Sequence, residues 1–361
     1  MAHLEQVGLF GGVDTHAGTH HAALIDQLGR HLADEQFPAT AAGYRDLRSW
    51  LCSHGELVAV GVEGTGSYGA GLARHLTASG LVVIEVDRPD RRVRRNKGKS
   101  DPVDAYAAAA AVASGRATGT PKTRDGLVEA IRVLKVARTS AVKDRTAAIN
   151  QIRTLLIAAP EPIRAATASL GVTGLIAHLA QLRPGADLSN PANACKTALR
   201  TLARRYQALH AEARELDTAI AGLVAAAAPE LLDVYGAGVE TASQLLITAG
   251  DNPERLRTAA CFAALCGVAP IPASSGKTHR HRLSRGGDRQ ANRALHAIAL
   301  TRMSHDPRTR AYVQRRTTEG LSKKDIMRCL KRYIANEIHR ILTSPRPAQT
   351  RPTTTPHTLA A

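Results

Sequence analysis

The sequence lacks a long apolar run and lacks regularly spaced cysteines. These two absences argue against a membrane-spanning protein, a secreted disulfide-bonded protein and a zinc-finger protein. It contains no uninterrupted apolar run of about 18 residues and no signal peptide, so we expect neither a membrane span nor secretion. Its five cysteines are odd in number and have no zinc-finger spacing. This usage is typical of a reducing compartment, and we expect a cytoplasmic protein.

Acidic residues are also few relative to basic ones. The chain of 361 residues has 48 lysines and arginines against 31 aspartates and glutamates, which gives a formal net charge of +17. Such an excess indicates a polyanionic partner, most simply a nucleic acid. The alternative is a basic protein without such a partner, and the clustering of the basic residues argues against it.

The basic residues concentrate in two short stretches. The first basic cluster comprises Arg88, Arg91, Arg92, Arg94, Arg95, Lys97 and Lys99, and the second comprises Lys277, Arg280, Arg282, Arg285, Arg289 and Arg293. The members that we expect to bind nucleic acid are Arg91, Arg92, Arg94, Arg95, Lys97, Lys99, Lys277, Arg280, Arg282 and Arg285.

Residues 1–122 alternate between strand and helix patterns. Apolar runs predict strands at 7–13, 20–26, 30–37, 57–62 and 81–86. The segments between the later strands have helical spacing, which indicates parallel pairing with right-handed crossovers. We therefore expect an α/β domain of ribonuclease H-like (RuvC-like) type, with helices on the faces of a mixed sheet. Sugar kinases and actin-like ATPases share this order of elements, so the fold alone leaves the function open.

Residues 123–228 are predicted as a helical coiled-coil or linker region. A helix at 126–157 is followed by an irregular connector at 165–192 and then by a second long helix. The second helix has an unbroken heptad seam from Leu199 to Leu223, which is typical of a coiled coil. Its partner is either a helix of another subunit or the first long helix of the same chain, and the pattern does not decide between them.

Residues 229–343 are predicted as a mainly α-helical C-terminal domain. A glycine turn at 236–238 precedes an apolar helix, and we interpret it either as a helix-hairpin-helix motif or as a plain glycine-rich connection. The loop at 270–276 leads into the second basic cluster, and helices are predicted at 288–304 and 322–342. Residues 344–361 are rich in proline and threonine, and we expect a disordered tail.

Four acids of the N-terminal domain are candidates for a metal site. Asp14 and Glu63 come at the ends of two predicted strands, and Asp101 and Asp104 lie three apart on one face of a predicted helix. In the expected fold the first and fourth strands are neighbours, so the four carboxylates can meet at one edge of the sheet. Carboxylates gathered in this way repel each other unless cations lie between them.

Two Mg²⁺ ions would satisfy these carboxylates, with Mn²⁺ as the alternative ion. A metal pair can activate a nucleophile and stabilise the leaving oxygen in phosphodiester displacement. Taken singly, the acids have plainer explanations. Asp101 before Pro102 is a good helix N-cap, and Asp104 suits the first turn of a helix.

Five histidines offer further possible metal ligands. They are His16, His20, His21, His279 and His281. Their spacing fits no standard zinc site, so we expect them to lie on the surface or to contact phosphates.

Five segments together carry a more specific pattern. They are Gly12-Val13-Asp14-Thr15-His16, Val62-Glu63-Gly64-Thr65-Gly66-Ser67-Tyr68, Lys99-Ser100-Asp101-Pro102-Val103-Asp104-Ala105, residues 231–249, and Phe262 to Gly287. With them the sequence resembles the insertion-sequence transposases that pair a RuvC-like DEDD domain with a serine-bearing C-terminal transposase domain. These are the recombinases guided by a bridge RNA.

The resemblance implies both a site and a set of partners. Asp14, Glu63, Asp101 and Asp104 would be the metal-binding catalytic tetrad, and Ser275 would be a nucleophile that forms a covalent phosphoserine with DNA. The partners would be element and target DNA, a non-coding bridge RNA, and further copies of the chain as a dimer or, in the synaptic complex, a tetramer. A protein of this kind would associate with the nucleoid when it acts.

Ser275 has little support from its own surroundings in the sequence. A serine hydroxyl needs activation by a base or a metal, and no obvious general base is near it. Loops are rich in serine, so Ser274 and Ser275 could be ordinary loop residues. The assignment to Ser275 rests on the resemblance, in which the serine directly precedes a glycine.

We therefore expect a DNA transposase of a mobile insertion sequence, which cleaves and exchanges strands through a serine–phosphodiester intermediate. A RuvC-like, metal-dependent junction-resolving nuclease would use the four acids without serine chemistry. A non-catalytic DNA- or RNA-binding protein would not need four intact acids. An actin-like ATPase would need phosphate-binding glycine loops after two separate strands.

Overall fold

The computed structural model describes residues 8–87, 100–277, 281–282 and 284–344. Its first compact unit extends to Asp125 and also includes Gly250–Arg257, and its second unit begins at Gly126 and resumes at Thr258. The division into domains after residues 122, 228 and 343 stays a prediction.

The first unit is built on a five-stranded sheet in the order β3-β2-β1-β4-β5. The elements of this unit are β1 (Leu9–Thr15), β2 (Thr19–Ile25), β3 (His31–Pro38), α1 (Ala41–Ser53), β4 (Leu57–Glu63), α2 (Ala70–Ala78), β5 (Val83–Val86) and α3 (Asp101–Ala113). Strands β1–β3 pair antiparallel as a meander, whereas β1 with β4 and β4 with β5 pair in parallel. The expected mixed sheet and the adjacency of the first and fourth strands are thus both observed.

Helices α1 and α2 cover one face of this sheet. Leu47 and Leu51 of α1 and Leu72 and Leu76 of α2 are fully buried in a core that includes Val13. Strand β1 is buried along almost its whole length, as expected for a central strand with helices on both faces. The core therefore holds β1 firmly up to the acid near its end.

Helix α3 lies on the opposite face, directly against β1 and β4, because two glycines face it. Gly12 and Gly61 are opposite each other in the parallel pair. A Cβ at Gly12 would overlap the carbonyl oxygen of Ala105, and one at Gly61 would lie 2.8 Å from that of Ala108. The helix backbone therefore approaches the strand backbones two residues before each strand reaches its acid.

Gly12→Ala is expected to destabilise the first unit by pushing α3 away from β1. Overpacking of this kind costs about 1–3 kcal/mol of the free energy of unfolding, which denaturant unfolding of the purified protein would measure. Gly18→Ala is the matched control, since a Cβ at Gly18 meets no atom within 4 Å. Equal stability of the two variants would contradict the close approach of α3.

The second unit is mainly helical. Its elements are α4 (Leu127–Ile157), α5 (Glu161–Thr167), α6 (Val172–Ala180), α7 (Pro191–Ala227), α8 (Val239–Ala249), α9 (Ala259–Leu265), β6 (Ile271–Pro272), β7 (His281–Arg282), α10 (Arg289–His305), α11 (Pro307–Thr318) and α12 (Lys323–Thr343). Helix α10 packs on α8 and α12, and α9 packs on α12, around buried residues such as Phe262 and Leu295.

The two long helices α4 and α7 pack against each other within the chain. Arg138 Nε donates to Asp217 Oδ1 at 2.9 Å, and the Arg145 guanidinium lies 5.9 Å from the centre of the Tyr206 ring. The predicted seam of α7 is buried or half-buried throughout. Of the two partners that the sequence allowed, the structure has the helix of the same chain. A coiled coil between subunits stays a prediction.

Two local expectations for this unit need adjustment. The connector at 165–192 contains α6, in which Leu175 and Leu179 are buried, and Gly171 is the N-cap, where helices accept glycine. The glycine turn at 236–238 follows a 3₁₀-helix of only three residues, Pro229–Leu231, so the described residues do not display a full helix-hairpin-helix motif. Among the described helices, none combines the length and apolar character that crossing a membrane would require.

Candidate metal centre

Asp14 and Glu63 lie at the carboxyl ends of two neighbouring parallel strands. The register pairs Val13 of β1 with Val62 of β4, so the next residue of each strand is an acid at the same edge of the sheet. Side chains alternate between the faces of a strand. Since Gly12 and Gly61 face α3, the acids two residues later face the same helix.

Helix α3 supplies the other two acids. Its N-cap is Ser100, and Asp101 is its first residue, so the expectation that Asp101 is the N-cap is wrong by one position. Asp104 is only 1% exposed, whereas the side chain of Asp101 is 44% exposed. Asp104 is therefore part of the packed interface with the sheet, and Asp101 lies at its solvent-accessible rim.

The electrostatics of Asp14 reflect this crowding. Burial is the main cause that raises the pKa of Asp14 above its ordinary value. The negative charges of Asp104 and Asp101 raise this pKa further, and His16 lowers it. The carboxylates are thus close enough to repel each other, which is the condition that a bound cation would relieve.

His16 lies between two of these acids. Its Nε2 is 3.2 Å from Asp14 Oδ2 and 3.3 Å from Asp101 Oδ1. One ligand atom from each of the three residues lies within 4.8 Å of the others, and no other group of this kind occurs among the described residues. The spacing of His16 to the other histidines predicted a position on the surface or in contact with phosphates. The missed signal was its position two residues after Asp14, which directs it to the same face.

A buried carboxylate oxygen without a hydrogen-bond donor makes this group suitable for a cation. Asp14 Oδ2 is buried and accepts no hydrogen bond from the described residues, although His16 Nε2 is near. Carboxylate oxygens suit Mg²⁺ and Mn²⁺, and Mn²⁺ also accepts an imidazole nitrogen. Glu63 and Asp104 are outside this three-residue group. The complete tetrad of Asp14, Glu63, Asp101 and Asp104 therefore stays a prediction.

The expectation of a surface position is wrong for His20. Its side chain is completely buried, and it stacks on Tyr44 with the ring centres 5.5 Å apart. Burial also lowers the pKa of His20. It lies in β2 opposite Thr15, on the face away from Asp14, so it belongs to the core under α1.

Ser275 lies in the second unit, in the loop between β6 and β7. These two short strands pair antiparallel, Ile271 with Arg282 and Pro272 with His281. Ser274 and Ser275 are both exposed, and Gly276 after them has a φ of +55°, a left-handed conformation that favours glycine. The hydroxyl of Ser275 is thus accessible at the far end of a hairpin.

Of the residues predicted to bind nucleic acid, three lie in the part of the chain that the structure describes. Lys277, Arg282 and Arg285 are described, and all three are exposed. Those that lie outside the described residues are Arg91, Arg92, Arg94, Arg95, Lys97, Lys99 and Arg280.

Comparison with known families matches two parts of the chain. A model of the DEDD domain of IS110 elements, described as "Transposase", matches residues 11–159. A second model, "Transposase IS116/IS110/IS902 family", matches residues 228–314. The first match contains all four acids, and the second contains Ser275.

Two curated proteins are similar to part of the chain. The "Insertion element IS110 uncharacterized 43.6 kDa protein" of Streptomyces coelicolor is 38% identical over 123 residues, which are 33% of this chain and 30% of that protein. The "Insertion element IS900 uncharacterized 42 kDa protein" of Mycobacterium paratuberculosis is 29% identical over 113 residues, 31% of this chain and 28% of that protein. The matches thus span less than a third of either relative.

Proposed function

Because the chain belongs to the IS110/IS116/IS902 family of transposases, we propose that it cleaves and joins DNA strands in the transposition of an insertion sequence. The observation that carries the proposal is the Asp14–His16–Asp101 group, which lies within the residues matched by the DEDD transposase model. The excess of positive charge supports a nucleic-acid substrate.

Held at this group, a divalent cation would polarise a phosphodiester and stabilise the charge that develops on it. Asp14, His16 and Asp101 would hold it, with Mg²⁺ or Mn²⁺ as the ion. We propose that Glu63 and Asp104, at the same edge of the sheet, complete a site for two ions.

For Ser275 we propose covalent catalysis. The hydroxyl gives its proton to solvent as its Oγ bonds to phosphorus. The bridging P–O bond of the DNA breaks with its electron pair on the leaving oxygen, which takes up a proton from solvent and becomes a free hydroxyl end, so that the other strand end is attached to the protein. The exposure of Ser275 at the end of the β6–β7 hairpin supports this role, since a phosphate can reach it.

A guide RNA and self-association belong to the same proposal. The exposed Lys277, Arg282 and Arg285 supply positive charge on which nucleic-acid backbones can lie. We propose that sequence choice comes from a non-coding bridge RNA, and that copies of the chain act as dimers or tetramers. Recombination that needs a non-coding RNA from the element's flanks would test this, and undiminished recombination without the RNA would contradict it.

His16→Gln is expected to weaken Mn²⁺ binding by about tenfold or more, at least the loss seen when a second-shell partner is removed from a metal site. The reason is that His16 Nε2 lies within reach of both acids. Calorimetric titration of the protein with MnCl₂ would measure the affinity. The control is His54→Gln, an exposed histidine at the C-cap of α1, whose Nδ1 lies within hydrogen-bond distance of Trp50 O and Ser53 Oγ. An unchanged affinity in His16→Gln would remove His16 from the site.

A further inference from the structure

A cavity of about 570 Å³ opens in the second unit. We call it the anion cavity. It is lined by residues 267–270, by His281, Arg282 and Ser284, by Arg316 of α11, by Leu321, and by six residues of α12 between Asp325 and Tyr333. Its volume is within the range of small-ligand sites. Of the site residues predicted from the sequence, Arg282 alone belongs to it.

The lining carries far more positive than negative charge. Its cations are Arg282, Arg316, Arg328, Lys331 and Arg332, and its one carboxylate is Asp325. Arg328 Nη1 donates to Asp325 Oδ1 at 2.9 Å, and Arg316 pairs with Glu319. In the described part of the chain, Arg282, Lys331 and Arg332 form no ion pair with a carboxylate.

Lys331 is a buried cation of the lining whose positive charge no carboxylate of the described residues balances. It is 7% exposed, and its Nζ donates to Asn292 Oδ1 at 2.9 Å. An ammonium group has three hydrogen-bond donors, and burying such a group without an opposite charge nearby costs free energy. Burial, and then the nearby charge of Arg328, lower the pKa of Lys331. An anion in the cavity would supply the missing negative charge.

Two further features of the lining suit a nucleic-acid strand. The Nε–H of Arg316 is buried and has no acceptor among the described residues. Tyr333 is 57% exposed and packs edge-on to Tyr312, with ring centres 5.9 Å apart. A basic groove beside an exposed aromatic ring is the arrangement that binds single strands, since phosphates meet the cations and a base stacks on the ring.

We propose that the anion cavity binds the phosphodiester backbone of a single nucleic-acid strand, with a base stacked on Tyr333. The proposal rests on the proposed function and assigns it a strand-holding site. His281 and Arg282 of β7 both line the cavity and belong to the hairpin that carries Ser275. A strand bound there lies against the element that presents the proposed nucleophile.

The test compares Lys331→Met with Lys323→Met in the full-length protein. Both remove one positive charge from α12, but Lys323 is exposed and does not line the cavity. Fluorescence anisotropy with labelled single-stranded DNA and RNA oligonucleotides, at several salt concentrations, measures the affinity. We expect about fivefold to tenfold weaker binding for Lys331→Met, and a salt slope smaller by about 0.7, the value for one phosphate contact on a single strand.

Because Lys331 Nζ also donates a hydrogen bond to Asn292, the loss of binding in Lys331→Met could come from misfolding, and a second variant separates the two causes. Arg282→Gln changes an exposed side chain on β7 and should weaken binding similarly, with an unchanged melting temperature. Loss of DNA binding alone, or of RNA binding alone, identifies the strand, and inorganic phosphate at millimolar concentration should compete. Equal losses in Lys323→Met, or none in Lys331→Met and Arg282→Gln, would overturn the proposal.

These outcomes are separate from those of the proposed function. A protein that binds single strands through the cavity but never cleaves DNA would keep this inference and contradict transposition. If the Lys331→Met, Arg282→Gln double variant recombines DNA normally and binds single strands as before, transposition is kept and the role of the anion cavity is contradicted.

Discussion

Asp14→Asn is expected to abolish DNA cleavage while leaving the first unit folded. Asp14 provides a buried carboxylate oxygen of the metal group, and asparagine keeps the shape of the side chain without its charge. The charge stabilisation that a metal provides is several kcal/mol, and at 1.36 kcal/mol per tenfold its loss corresponds to about 10³-fold in rate. A cleavage assay on element-end DNA in MgCl₂ or MnCl₂ measures the effect.

Thermal unfolding with and without metal shows whether the cause is the metal site. Without metal, Asp14→Asn should melt at the same temperature as the wild type or higher, because it removes repulsion with Asp101 and Asp104. With MnCl₂ the wild type should gain stability by mass action, and the variant should gain much less. Asp46→Asn, an exposed acid on α1, is the charge-matched control. A variant that is stabilised by Mn²⁺ like the wild type would exclude Asp14 as a ligand.

Ser275→Ala is expected to eliminate strand exchange and any covalent protein–DNA adduct. The alanine lacks the oxygen that would bond to phosphorus, so no intermediate can form. Denaturing gel electrophoresis of the protein with end-labelled DNA would detect the adduct, and a recombination assay would measure the joined product. Ser274→Ala is the matched control, since it removes the neighbouring exposed hydroxyl of the same loop.

The result also separates the two enzyme classes. If Ser275→Ala still cuts branched DNA at the wild-type rate and neither protein forms an adduct, the chain acts as a metal-dependent junction-resolving nuclease. If Ser274→Ala loses the adduct and Ser275→Ala retains it, the nucleophile is one residue earlier. In either case nucleic-acid binding should be retained, because neither hydroxyl carries charge.

The sequence predicts the first unit well because its signals are local. Strand and helix order followed from apolar runs, and the ribonuclease H-like fold expected from that order has the first and fourth strands as neighbours, as β1 and β4 are. The position of His16 did not follow, because its spacing to the other histidines matches no metal site. Only the three-dimensional placement of Asp101 beside it shows that His16 faces two acids.

The second unit was harder to predict because its contacts are long-range. Helix α11 has only Thr309 buried, so it presents no apolar stripe that a pattern could reveal. The cations Arg316 and Lys331 are likewise unremarkable along the sequence, and only folding gathers them with Arg282 around one cavity. The heptad seam of α7 predicted a helical partner but could not identify α4 as that partner.

The glycine pair under α3 has a thermodynamic consequence for the acids beside it. Because Gly12 and Gly61 let the helix backbone rest on the strand backbones, the separation of the strand-end acids from the helix acids is fixed by main-chain contact. An aspartate side chain has few rotatable bonds, so it loses less conformational entropy when it binds a ligand than a longer side chain would. We therefore expect a cation at this edge of the sheet to meet carboxylates whose backbone positions are already set when the chain folds, which lowers the entropic cost of binding.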